Sequence, residues 1–269
     1  MEPLLGSRTL GAGDWKVRRF ATGAQHIGCA RVARPVALRQ HVANARTLEH
    51  GGSVLIPVFA LGRMQEMFLI LHEAVSKGEL QQAPVYAAGL GMDICNYMDD
   101  IARKTGLANF NRSVLHDLHV KPPPRNLVPG RQPRESGIFV LSSGMMVENT
   151  PSYAMAASLL SKPENAVFFV GYCDPSTPGG RLLATSRGET FVFDAIDFQT
   201  TLKASVEQFE LTGHADRGEL LEFALQADPR AVVLNHGDPP ARKWFAEAFA
   251  EKAPKIKVLD PVPLQTYEV

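Results

Sequence analysis

The sequence predicts an α/β protein built on a parallel sheet, and three observations carry that prediction. Short apolar runs rich in β-branched residues alternate along the chain with stretches of helical period. Most of these runs end in glycine-bearing turns, as buried strands entering helices do. Hydrophobic residues make up 45% of the 269 positions, enough to fill a real core, and no internal repeat suggests a solenoid. The length allows one large domain or two modest ones.

The elements follow in order. Residues 1–48 are rich in Arg, Ala and Gly and hold neither period; they read as a tail, a disordered arm or a misread start of the reading frame. Order begins with the run from Ser53 to Phe59 behind Gly51-Gly52, a buried strand in which Pro57 marks an end, an edge or a bulge. From Gly62 the period changes, placing Met64, Met67, Phe68, Leu71 and Val75 on one helical face that Gly78 closes. "PVYAAGLG" is a strand and turn, "MDICNYMDDIARKTG" a helix, "HDLHV" a solvated turn and "KPPPRNLVPGRQPRES" an exposed, extended connector. "GIFVLSSGMM" is a strand entering a tight turn, after which Thr150 and Pro151 are suited to the N-cap and first position of a helix. "NAVFFVGYCDPSTPGGRLLA" reads as a buried strand followed by a glycine-rich loop, and "ETFVFDA" and "LKASVEQFELTG" as two further strands. The chain closes with strand, His214, helix, strand, His236 and helix.

Composition narrows the setting. Lys+Arg and Asp+Glu are both 28, so no global field marks a polyanionic partner, although local basic grooves are compatible with that balance. Three widely spaced cysteines (Cys29, Cys95, Cys173) offer neither a disulfide framework nor a CxxC zinc site and fit a cytoplasmic location. No apolar run approaches the roughly 20 residues of a membrane span.

The chemistry concentrates in "LTGHADRGELLEFALQADPRAVVLNHGD", Leu211 to Asp238. Asp216 can cap the helix that follows, with Glu219 three residues on as a capping box requires. If the flanking strands form one right-handed βαβ unit, His214 and His236 emerge at the same sheet edge, where open α/β sheets bind ligands. The competing reading makes Asp216 only a cap and both histidines loop residues bonded to nearby backbone. A zinc site needs three or four ligands, which two histidines do not supply. The other six histidines form no HxHxDH or HExxH cluster.

Five segments together resemble a known family. "GGSVLIPVFALGRMQEMFLIL", "LSSGMM", "VGYCDPSTPGGRLL", "LTGHAD" and "LNHGD", in that order over residues 49–240, are similar to motifs of the β-CASP metallo-β-lactamase-fold nucleases, which include the polyadenylation endonuclease subunit and ribonuclease J. The resemblance implies a β-CASP cap region over residues 49–200 and, over 201–269, the C-terminal return segment of the αββα metallo-β-lactamase fold. It implies zinc-dependent hydrolysis of RNA phosphodiester bonds, with two zinc ions activating a water. His236 becomes a metal ligand and His214 the proton donor at the leaving oxygen, steadied by Asp216. The HxHxDH run of the family aligns with nothing in residues 1–48, so this chain is expected to hold the C-terminal part of such a protein, lacking the N-terminal metallo-β-lactamase half. Its site is then incomplete, and the chain alone is weak or inactive as an enzyme. The alternative is a non-catalytic protein of this type that binds RNA or a partner. The family implies RNA as partner, with a homo-oligomer or a catalytic partner also expected, and no membrane.

Two loops complete the expectation. "SSGMM" and "GYCDPSTPGGR" are simple tight turns on spacing alone, and phosphate-facing loops if backbone N–H groups are exposed there. The resemblance favours the second reading for Ser143, Gly144 and Arg181, with Ser142 and Gly180 beside them. Arg63 either adds positive charge to that site or pairs structurally at its helix start. Tyr172 either stacks on a base or packs beside its strand. A serine hydrolase built on Ser143 is disfavoured, because "SSGMM" is not a GxSxG elbow.

Overall fold

The computed structural model describes Leu48 and residues 51–106, 110–209, 211 and 215–268; the remainder of the N-terminal segment and His214 lie outside the described residues. In chain order the strands are β1 (Val54–Pro57), β2 (Val85–Ala87), β3 (Ile138–Leu141), β4 (Ala166–Phe169), β5 (Thr190–Phe193), β6 (Phe198–Thr201), β7 (Ser205–Gln208), β8 (Ala231–Val233) and β9 (Lys257–Leu259). The helices are α1 (Arg63–Ser76), α2 (Leu90–Thr105), α3 (Ser113–Asp117), α4 (Pro151–Leu159), α5 (Pro178–Ala184), α6 (Arg217–Gln226) and α7 (Pro239–Lys252).

Five strands form a parallel sheet in the order β2-β3-β1-β4-β7. The period of two along each inner strand divides two cores. Val54, Ile56, Ile138, Val140, Ala166 and Phe168 face one core with Met64, Met67, Phe68 and Leu71 of α1. Leu55, Phe139, Leu141, Val167 and Phe169 face the other, against Tyr153 and Met155 of α4, Leu182 of α5 and Phe191 and Phe193 of β5. Both faces are therefore covered, which is why β1, β3 and β4 read as unbroken apolar runs. Full burial of Phe139 and Phe169 contributes about 1.5–3 kcal/mol each. Pro57 is the last residue of an inner strand, opposite Leu141, and Val58 resumes the ladder by donating to the Leu141 carbonyl at 2.9 Å.

Two buried amides fix the ends of the sheet. Asn165 accepts the Ser53 N–H at 2.8 Å and donates to the Leu159 carbonyl at 2.9 Å, tying β1 to the turn before β4. Gln65 accepts the Gly62 N–H at 2.8 Å and donates to the carbonyls of Ala60 and Gly91, joining the start of α1 to α2.

The structure corrects several expectations. "PGGRLLA" is a helix, α5, because Thr177 caps it through Gly180 N–H and Pro178 occupies its first position, the same Thr-Pro signature that opens α4. "FQTT" (Phe198–Thr201) is a strand, β6, pairing antiparallel with β5, so parallel pairing is not universal. The short helix α3 ends inside "HDLHV", at Asp117, and a turn follows it. β7 is the edge strand of the five-stranded sheet, beside β4.

The largest correction concerns the final unit. β7 and β8 do not share a sheet: β8 pairs with β9 alone, in parallel. The helices on either side of β8 explain this. Leu221 of α6 and Ala248 and Phe249 of α7 bury against Val232, Ile256 and Val258, so α6, β8, α7 and β9 close a small core of their own. β7 and β8 therefore share no sheet edge, and His214 itself lies outside the described residues.

Candidate functional site

A parallel sheet aims the C-terminal ends of its strands at one edge, and helix placement decides which gap there stays open. After β1 the chain passes to α1 on one face; after β3 and β4 it passes to α4 and α5 on the other. Because β1 lies between β3 and β4, its C-terminal end has a switch of direction on both sides. The segments that converge there are Val58 to Arg63, Ser142 to Met146 and Gly171 to Arg181.

The turn after β3 is closed from within. Ser143 Oγ accepts N–H groups of Met145 at 3.4 Å and Val147 at 3.1 Å, and its carbonyl accepts Met146 N–H at 3.2 Å and the Ser152 hydroxyl at 2.8 Å. With its lone pairs directed at amides, the Ser143 hydroxyl is left with its proton to donate. Ser142 Oγ has no hydrogen-bond partner among the described residues and is half-buried, while its carbonyl accepts Ser152 N–H. Gly144 is buried, and a Cβ on it would stand 3.0 Å from both the backbone N and the ring of Phe59, so only glycine lets this turn reach the end of β1. Burial pushes the Cys173 thiol up to about 11, and its S–H donates to the Gly144 carbonyl at 3.6 Å.

The loop after β4 docks on that turn. Gly179 N–H donates to the Met145 carbonyl at 2.8 Å, and a Cβ on Gly179 would meet that oxygen at 2.6 Å. Gly180 donates its N–H to Thr177 Oγ1 and packs on Asp174, whose carbonyl oxygen would be 2.1 Å from an added Cβ. The N–H groups of Ser176, Thr177 and Arg181 go to Asp174 Oδ1, the Asp174 carbonyl and the Thr177 carbonyl. The N–H groups from Ser176 to Arg181 are therefore used within the protein, and the expectation of exposed backbone donors does not hold for that part of the segment. The Ser176 hydroxyl and N–H both donate to the Asp174 carboxylate and hold it below the usual carboxylate range.

The charged side chains are already engaged. Arg63 pairs with Glu66 one turn along α1. Arg181 Nη1 contacts Asp194 Oδ2 at 2.7 Å, with Glu148 at 4.0 Å from Nη2. A phosphate at this edge would compete with those carboxylates. The aromatics are free: Phe59 is 46% exposed and Tyr172 is 66% exposed, which decides for Tyr172 that it is not a packing residue. Partial burial and then the charges of Asp174 and Asp238 raise its hydroxyl above the usual range. Phe59 is the residue that sequence reasoning missed; alternation continued past Pro57 puts it in the core, whereas the strand has already ended there.

His236 is exposed, with a left-handed backbone at φ 67°, and Gly237 follows at φ 94°. Asp216 caps α6 as expected: one carboxylate oxygen accepts Gly218 and Glu219 N–H groups at 2.8 and 2.9 Å, and Glu219 returns to Asp216 N–H at 2.8 Å. Among the described residues no group of three or more His, Cys, Asp or Glu side chains is arranged to hold a metal ion. His236 thus has no set of co-ligands there, and these residues alone do not fit a zinc centre.

Comparison with known proteins agrees with this architecture. Residues 64–182 match the Beta-Casp domain, and residues 200–261 match the Zn-dependent metallo-hydrolase RNA specificity domain. The chain is 32% identical over 225 residues to RNase aCSPSF2 of Saccharolobus solfataricus, an alignment covering 80% of this chain and 40% of that protein. It is 28% identical over 241 residues to the transcription termination factor FttA of Methanothermobacter thermautotrophicus (83% of this chain, 36% of that protein). Integrator complex subunit 11 of Gallus gallus is 30% identical over 214 residues (77% and 34%). The chain thus spans between about a third and two fifths of the length of these curated relatives.

Proposed function

Because the chain belongs to the β-CASP family of metallo-β-lactamase-fold nucleases, we propose that it serves zinc-dependent hydrolysis of RNA phosphodiester bonds as the part that holds the strand. One observation carries this reading: the loops after β1, β3 and β4 meet at the switch in the sheet, presenting two serine hydroxyls beside two exposed rings. Ser142 and Ser143 donate to phosphate oxygens, and Phe59 and Tyr172 stack on bases, which all four nucleotides permit. Arg63 and Arg181 join when phosphate displaces Glu66 and Asp194. His214 is assigned as proton donor to the leaving oxygen and His236 as a zinc ligand, although the described residues do not complete a zinc site. Assembly with a second copy or a catalytic partner belongs to the same proposal.

The test measures retained zinc and the cleavage of both a labelled RNA and bis(p-nitrophenyl) phosphate, a diester too small to need the rest of the sheet. His236→Ala is expected to lose zinc and rate together, and His214→Ala to lose rate with zinc kept. Equal zinc loss in both variants would refute that division of roles. RNA binding without zinc or cleavage would replace hydrolysis with a binding role.

A further inference from the structure

We infer that the proline-rich connector between α3 and β3 is a second RNA-backbone site, on the side of the sheet opposite the serine–glycine turn. The inference rests on the proposed RNA function and extends it to residues that reading does not use. The connector encloses a cavity of about 520 Å³ lined by Arg125, Arg131 and Arg134. All three guanidiniums are exposed, and none has a carboxylate or other hydrogen-bond acceptor among the described residues. Of the other described arginines, Arg63, Arg103, Arg181 and Arg242 reach carboxylates and Arg217 lies over the Trp244 ring, while Arg112, Arg187 and Arg230 make no such contact. Three unpaired guanidiniums around one hollow repel one another, and an anion spanning them relieves that repulsion. The single acid of the lining, Glu135, accepts the Tyr86 hydroxyl at 2.5 Å, so one of its oxygens is turned to the protein.

The scaffold is tied down before any ligand arrives. Lys121 N–H donates to the Val85 carbonyl at 2.9 Å, Gly130 N–H to the Ala157 carbonyl at 2.8 Å, and Gln132 Nε2 to the Gly51 carbonyl at 3.1 Å. Pro122, Pro123, Pro124 and Pro129 fix φ between those anchors, and Pro133 just after the last. Little backbone freedom is then lost on binding. Position favours a long polyanion over a small one. Gly137 and Ile138 bond to β1 and β2 at the N-terminal edge of the sheet, and Lys162 and Lys203 lie exposed beside the same edge, with Glu164 the neighbouring acid. The candidate site is at the other end of the strands, about 13 Å away for four residues of β3. A single strand running round the covered sheet from one edge to the other would contact both, whereas a mononucleotide would need only one.

The experiment uses the whole chain in EDTA, so that binding is read without cleavage, with a labelled uridine homopolymer and a poly-glutamate peptide as probes. Arg125→Gln/Arg131→Gln/Arg134→Gln is expected to weaken RNA binding about tenfold or more and to lower the salt slope of log Kd by about 2 between about 50 and 200 mM salt. The control Lys104→Gln/Lys252→Gln/Lys255→Gln, which removes the same charge from exposed sites elsewhere, is expected to keep affinity and slope close to those of the unsubstituted chain. Thermal unfolding confirms that both variants fold. Equal losses in both variants reduce the effect to net charge and overturn the inference. So do an unchanged slope in the arginine variant, or poly-glutamate binding with the same arginine dependence and no preference for RNA, which assigns the hollow to an acidic protein. Absence of RNA binding by the unsubstituted chain also overturns it, while the hydrolase reading is judged separately by zinc retention and diester cleavage.

Discussion

The serine–glycine turn after β3 and the histidine loop after β8 each lead from a parallel strand into a helix that opens with proline, yet they are held in opposite ways. In the first, Gly144 and Met146 are buried, four donors end on the two oxygens of Ser143, and Phe59, Cys173 and Gly179 enclose the backbone. In the second, residues 235–240 are exposed, Asp238 makes no side-chain cap, and Arg242 Nη1 donates to the Gly237 carbonyl at 2.6 Å. An enclosed, self-bonded turn fixes where its hydroxyls point without help from a ligand. An exposed loop supplies a side chain but takes that side chain's position from whatever binds it. The enclosed turn therefore contributes to fold stability whatever it binds, and the exposed one contributes little to it.

That contrast can be broken by measurement. The largest effect is expected from Phe169→Ala, which empties the space behind Gly179: a loss of about 3–5 kcal/mol in urea unfolding. A loss below about 1 kcal/mol would mean that the loop after β4 does not depend on this core. Gly180→Ala forces a methyl onto the Asp174 carbonyl and is expected to cost about 1–3 kcal/mol, although alanine is otherwise the better helix former. Stabilisation by this change would contradict the close approach.

Asp216→Ala removes the cap of α6 and is expected to cost about 0.5–2 kcal/mol, with faster amide exchange confined to residues 217–220. Exchange spreading to the five-stranded sheet would show that the small C-terminal core is not separate. Asp174 gives a pH signature. Its folded pKa is depressed, so its contribution is present above the ordinary carboxylate range and lost as pH falls through the folded value. The unsubstituted chain should therefore be more stable than Asp174→Asn near neutral pH, the gap closing below about pH 4; a gap independent of pH would deny the role of ionisation. His236→Ala is expected to leave stability within about 0.5 kcal/mol, and a larger loss would place His236 in the fold.

The inner strands and α1 were legible because burial on both faces writes itself as continuous apolar runs, and one buried helical face as a period near 3.6. The Asp216 cap was legible because it is local: donor and acceptor lie within three residues. Helix α5 was misread although Thr177-Pro178 repeats the signature of Thr150-Pro151, since two glycines argue against a helix unless the backbone they approach is known. The roles proposed for His214 and His236 rest on resemblance to the β-CASP family, since spacing alone leaves them open.

What the sequence determined by itself is the class of the fold, the identity of its inner strands, the caps and the family, all properties of neighbouring residues or of patterns within one element. The tertiary structure decided which strands share a sheet, why Gly144, Gly179 and Gly180 are glycines, which arginines are paired and which stand unpaired around the connector. Each of those depends on atoms far apart in the chain. β8 is three residues of ordinary apolar sequence, and its backbone donors would satisfy β7 as well as β9; only the closure of α6 and α7 over Val232 and Val258 selects between them.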